Sequence, residues 1–138
     1  MRILLDTSTI IAAVRSPRGA SAELVRRVLM DRLTMVCSVP LFLEYEAVLL
    51  RPEHLQAAGA TAHDIANLLN ALAGKLVPIE IQYLWRPQLR DADDDMVLEA
   101  AVNGQASNIV TFNVRDFLPQ ARSFGITVNT PGDFLKGL

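Results

Sequence analysis

Cysteine is almost absent: Cys37 stands alone, so no disulfide can close within the chain. Histidine is scarce too. His54 and His63 lie apart in the sequence and, with one thiol, make no zinc-binding spacing, so any metal held here must be bound by oxygen. Apolar runs of the roughly 20 residues needed to span a bilayer are missing, as is the basic start, apolar core and small-residue cleavage site of a secretory signal. The expectation is a cytoplasmic protein with no membrane partner. An excess of positive charge is also lacking, with 13 Lys and Arg against 15 Asp and Glu. Strong non-specific binding to nucleic acid, which rests on many cations meeting phosphates, is thereby disfavoured. Lysine occurs only at 75 and 136, which leaves Arg as the dominant cation, and its forked head suits phosphate.

What is present is apolar: 51% of 138 residues, enough for one domain spanning 1–138 with a real core. No repeat, linker or low-complexity segment divides it. "RILLD" (2–6) reads as a buried strand, after which Thr7 or Ser8 can cap a helix through Ile10, Ile11 and Val14. "SAELVRRVLMDR" (21–32) has one apolar helical face, and "TMVCS" (34–38) is a second strand. A helix over 40–52 follows, stopping before Pro52, and another over 61–74 starts on a Thr-x-x-Asp cap. "LVPIEI" (76–81) is a strand confined to an edge by Pro78. A helix over 93–104 and strands at 108–112 and 126–131 complete the chain. Strands alternating with helices predict an α/β fold with a mainly parallel five-stranded sheet.

In such folds ligands bind beyond the carboxyl ends of the strands, and acids stand there. Asp6 ends the first strand, and Asp116 follows the fourth in "NVRDF". Either one alone is equally well explained as a helix cap. Ser8 offers itself as the cap in place of Asp6. "RDADDDMVLEA" (90–100) is the densest acid cluster, and helix starts favour acids. Counting three, four and seven residues on from Asp94 meets Val97, Leu98 and Ala101, whereas the same count from Asp95 meets Glu99. Asp94 is therefore expected to point inward. In "LFLEYEAVLL" (41–50) apolar residues run nearly all round the helix, so periodicity does not choose between Glu44 and Glu46. A salt bridge to Arg51 or Arg90 is the alternative role for either glutamate.

Taken together, "LLDTSTII", the Ser38 to Glu44 spacing leading into "VLLRP", "RDADDDMVLEAA" and "IVTFNVRDF" resemble the four acidic motifs of PIN-domain ribonucleases, especially VapC-type toxins, in the same order along nearly the whole chain. The resemblance implies a three-layer α/β/α sandwich. It also implies an acidic quartet of catalytic metal ligands at Asp6, Glu44, Asp94 and Asp116, with Ser8, Thr111 and Asn113 as supporting polar groups. Some relatives carry aspartate where Asn113 stands, and Asp91 and Asp95 are alternates for the third acid. Four converging carboxylates repel one another, and Mg²⁺ or Mn²⁺, which prefer oxygen ligands, relieves that repulsion. The implied reaction is hydrolysis of RNA to a 5′-phosphate and a 3′-hydroxyl. Arg15, Arg18, Arg90 and Arg115 are candidates to position the RNA backbone. The resemblance further implies a small antitoxin protein as partner and a homodimer.

Two other readings compete with this one. A PIN domain weak in catalysis would act as an RNA- or protein-binding module, which the low net charge permits. An aspartyl-phosphate phosphatase, suggested by "DTST", needs a second aspartate two positions after Asp6, and Ser8 occupies that position.

Overall fold

The computed structural model describes residues 1–82 and 88–138. β1 (Arg2–Leu5), β2 (Thr34–Ser38), β3 (Val77–Ile79), β4 (Asn108–Val110) and β5 (Thr127–Asn129) form one sheet in the order β3-β2-β1-β4-β5. Every pairing among them is parallel, with Ile3 facing Met35 on one side and Asn108 on the other. Parallel neighbours need crossovers, and helices supply them. α1 (Thr7–Arg15) and α2 (Ala20–Leu29) lead to β2; α3 (Val39–Leu49), α4 (Pro52–Ala58) and α5 (Ala62–Ala73) lead to β3. α6 (Ala92–Asn103) precedes β4; a 3-10 turn (Val114–Phe117) and α7 (Gln120–Ser123) precede β5, and α8 (Pro131–Lys136) follows it. The result is the expected three-layer α/β/α sandwich.

Covered on both faces, the central strand has no polar side to show, and Ile3, Leu4 and Leu5 are all fully buried. Pro78 lies in edge strand β3, where a missing N–H costs least. Thr61 and Asp64 form the expected capping box on α5. Gly104, which ends α6, is required by close packing, because a Cβ there would stand 3.0 Å from both Ile79 and Val36.

Several local boundaries differ from expectation for identifiable reasons. The helix over 40–52 stops before Pro52 as expected, at Leu49, but Pro52 also takes a first-turn position and starts a further helix, α4, beyond those expected from the sequence. The helix expected to reach residue 32 stops at Leu29, and Asp31 takes a left-handed φ of 60°. Most important for the site, the strands run outward from β1 to β3 before the chain returns to β4 on the other side. The topological switch point therefore lies between β1 and β4, at the carboxyl ends that lead into Asp6 and Thr111.

Candidate metal centre

Asp6 is the N-cap of α1, one of the two roles that the sequence left open for it, with Thr7 and Ser8 as the other candidates for the cap. Its Oδ1 accepts from Thr7 N at 2.8 Å, and its Oδ2 accepts from Ser8 Oγ at 3.0 Å and Thr111 Oγ1 at 2.7 Å. Capping does not exhaust it. An ionised carboxylate has about four acceptor sites, so one remains after these three bonds. Asp6 N also donates to Val110 O at 3.0 Å, so the register of β1 on β4 positions the acid. Ser8 and Thr111 each relay a backbone amide to it: Phe112 N donates to Ser8 Oγ at 3.2 Å and Asn113 N donates to Thr111 Oγ1 at 3.0 Å. Asn113 enters this network through its backbone, and its side chain is exposed.

The second acid comes from α3, which is docked on β1 by the fully buried Tyr45, whose hydroxyl donates to Leu5 O. On this helix Glu44 is half-buried and accepts a hydrogen bond from Thr7 Oγ1, whereas Glu46 is exposed. The tertiary structure thus makes the choice that periodicity left open. Burial pushes the Glu44 carboxyl above its ordinary value; the Thr7 bond opposes this, and Asp93 and Asp6 add to it.

Asp94, half-buried in the first turn of α6, carries a carboxyl raised to about 6. Burial is the largest cause, followed by the charges of Asp6, Asp91, Asp116 and Asp93. It lines an open hollow of about 590 Å³ with Asp91, Asp116, Arg90, Arg115 and Gln120. Asp116 is exposed within the 3-10 turn, where no side chain caps the turn. Arg15 and Arg18 are exposed and are not among the hollow's lining residues.

Its two acidic neighbours have other duties. Asp91 caps α6, accepting from Asp93 N at 2.9 Å. Asp95 is buried, not outward-facing, and its Oδ1 accepts from Leu89 N at 2.9 Å and Gln88 N at 3.2 Å. Helical counting misplaced Asp95 and Glu99 because the stretch before α6 folds back over that side, which a count confined to one helix does not see. Thr7 and Gln120 were missed as site residues. Thr7 had a signal in "DTST", but it read there only as a cap.

The donor set fits a hard divalent cation, being all carboxylate oxygen with mutual repulsion for a cation to relieve. The set is open, however. Among the described residues no three His, Cys, Asp or Glu side chains come together into a group that could by itself hold a metal ion. Cys37 offers no alternative chemistry, because burial pushes its thiol up to about 12. A family profile described as PIN domain matches residues 2–115. No curated protein matches the chain significantly.

Proposed function

The chain belongs to the PIN-domain family, whose members are generally nucleases, and on that footing we propose that it is a divalent-metal-dependent ribonuclease hydrolysing RNA phosphodiester bonds. The observation that carries this reading is Asp94: it lines one hollow with Asp116, and its carboxyl is raised by burial and by the charges of Asp6, Asp91 and Asp116, which come from separate segments. Asp6, Glu44, Asp94 and Asp116 would hold Mg²⁺ or Mn²⁺. Such an ion, when bound, neutralises phosphate charge, acidifies a water and stabilises the leaving oxygen. The protein's own groups do the rest. Ser8 and Thr111 fix the rotamer of Asp6, and Thr7 ties Glu44 to the same helix start, so two acids from distant segments share one rigid support. Arg90 and Arg115, on the rim of the hollow, suit the phosphates flanking the one cut. Arg15 and Arg18 are left for more distant backbone contacts.

The toxin role follows from the same resemblance. A small antitoxin would insert a segment into the acid-lined hollow, and the exposed apolar residues Val39, Leu43 and Leu50 along α3 support a homodimer. Among the described residues no helix is long and apolar enough to cross a membrane. A second reading, an RNA- or protein-binding module with weak catalysis, is favoured by the open spacing of the acids. One experiment separates the two. Purified protein with Mn²⁺ or Mg²⁺ is expected to cut RNA and to stop in chelator or as Asp6→Asn. RNA binding without metal-dependent cutting would support the module instead.

A further inference from the structure

On the same carboxyl-end side of the sheet a second hollow, of about 480 Å³, opens between α1, the start of α2 and the residues after β4 and β5. Its lining among the described residues carries no charged side chain and includes Ser16, Gly19, Ser21, Phe112 and Thr130. α2 begins there on Gly19, which has no side chain to satisfy the amides of the first turn. Such amides, with the helix dipole behind them, attract anions and phosphate above all. In that turn Ser21 is 3% exposed, and its Oγ has no hydrogen-bond partner among the described residues. A buried hydroxyl left so is unfavourable until a ligand or water meets it. The wall is Phe112, 53% exposed, a flat apolar face of the kind on which bases stack.

This hollow adjoins the acid centre through two bonds. Phe112 N donates to Ser8 Oγ, and Ser8 Oγ donates to Asp6 Oδ2. We infer that the hollow is a nucleotide subsite for the RNA strand, in which a base stacks on Phe112 while its neighbouring phosphate meets the first-turn amides of α2 and the Ser21 hydroxyl. The inference rests on the ribonuclease reading for the identity of the strand, and it adds where one flanking nucleotide is gripped. An uncharged pocket suits this task, since a base is neutral and the helix end alone supplies attraction for the phosphate.

The test uses the full chain in chelator at low salt, so that nothing is cut. The probes are short single-stranded RNAs carrying 2-aminopurine at each position in turn. Wild type is expected to quench one position. Phe112→Ala should lose the quench and bind about tenfold more weakly, while Phe112→Trp keeps both. Gly19→Asp, whose carboxylate caps the amides from within, should weaken binding without lowering the melting temperature. Its Cβ would stand 3.3 Å from Ser16 O in an exposed loop, a contact that the loop can absorb. Unchanged binding and quenching in Phe112→Ala, or wild-type binding by a normally melting Gly19→Asp, would overturn the subsite. If wild type cuts RNA and those variants bind like it, the subsite falls and the nuclease stands. If wild type shows the Phe112-dependent quench but never cuts with Mg²⁺ or Mn²⁺, the nuclease falls and the subsite stands.

Discussion

On the sheet side of the acid centre Asp6 is 7% exposed and accepts from Thr7 N, Ser8 Oγ and Thr111 Oγ1, whereas on the α6 side Asp94 is half-buried with carboxylates as its largest electrostatic neighbours. Both are acids in a first helical turn or cap, yet they solve burial differently. The first is fixed by donors whatever else binds. The second is raised to about 6 by burial first and by neighbouring carboxylates after it, and the repulsion among those carboxylates is what a cation can release. α6 repeats the contrast between adjacent residues, since Asp95 spends its Oδ1 on Leu89 N and Gln88 N. In the proposed site, an acid with donors would serve as support, and an acid among acids would be the one left to act.

The largest expected effect breaks the fixed side. Asp6→Asn should take metal-dependent RNA cleavage to background while keeping a folded chain, and Asp6→Ala should in addition cost about 1–3 kcal/mol, because three donors lose their acceptor. Cleavage assays and urea melts read the two effects separately.

Next comes the α6 pair. Asp95→Ala should lower stability by about 1–3 kcal/mol through the stranded amides of Gln88 and Leu89. Asp94→Asn should melt no lower than wild type in chelator. Metal at 100 times its dissociation constant should stabilise wild type by about 2.7 kcal/mol and the Asp94→Asn variant much less. Swapped outcomes for the two residues would reverse the comparison.

A smaller effect appears with pH. The Asp94 carboxyl lies near 6 in the folded protein against an ordinary value of 3.8, so the native state binds this proton more tightly than the unfolded chain does. In chelator its contribution is therefore fully present below 3.8 and is lost as pH rises through 6. Discounted for its solvent exposure, the change is about 1 kcal/mol, and Glu44, also raised, acts in the same direction. Chelator melts from pH 4 to 7 should show a slope that Asp94→Asn flattens.

Smallest is the change at Glu46. Glu44→Gln should abolish cleavage as Asp6→Asn does, but Glu46→Gln, exposed on the same helix, should leave activity intact and move stability by less than about 0.5 kcal/mol. A reversed ranking would place the wrong face of α3 at the site.

The order of the five strands and of the longer helices between them, the parallel sheet and the edge position of β3 could be read from the sequence, because apolar runs, Pro78 and the Thr61 cap act through local rules that hold before folding is complete; the short α4, α7 and α8 were not read from it. The same rules put Asp6 at a strand end. They offered capping for Asp6 as one role among several, but not the cap together with a spare acceptor site and a donor in Thr111, which lies 105 residues away. Nor did they choose Glu44 over Glu46. That choice came when Tyr45 docked α3 on Leu5 and brought Thr7 to Glu44. Burial of Asp95 likewise came from the stretch before α6 folding over it. Local sequence sets which residues can share a face; which face is covered, and which acids come to lie beside other acids, depends on contacts between distant segments that exist only once the layers pack.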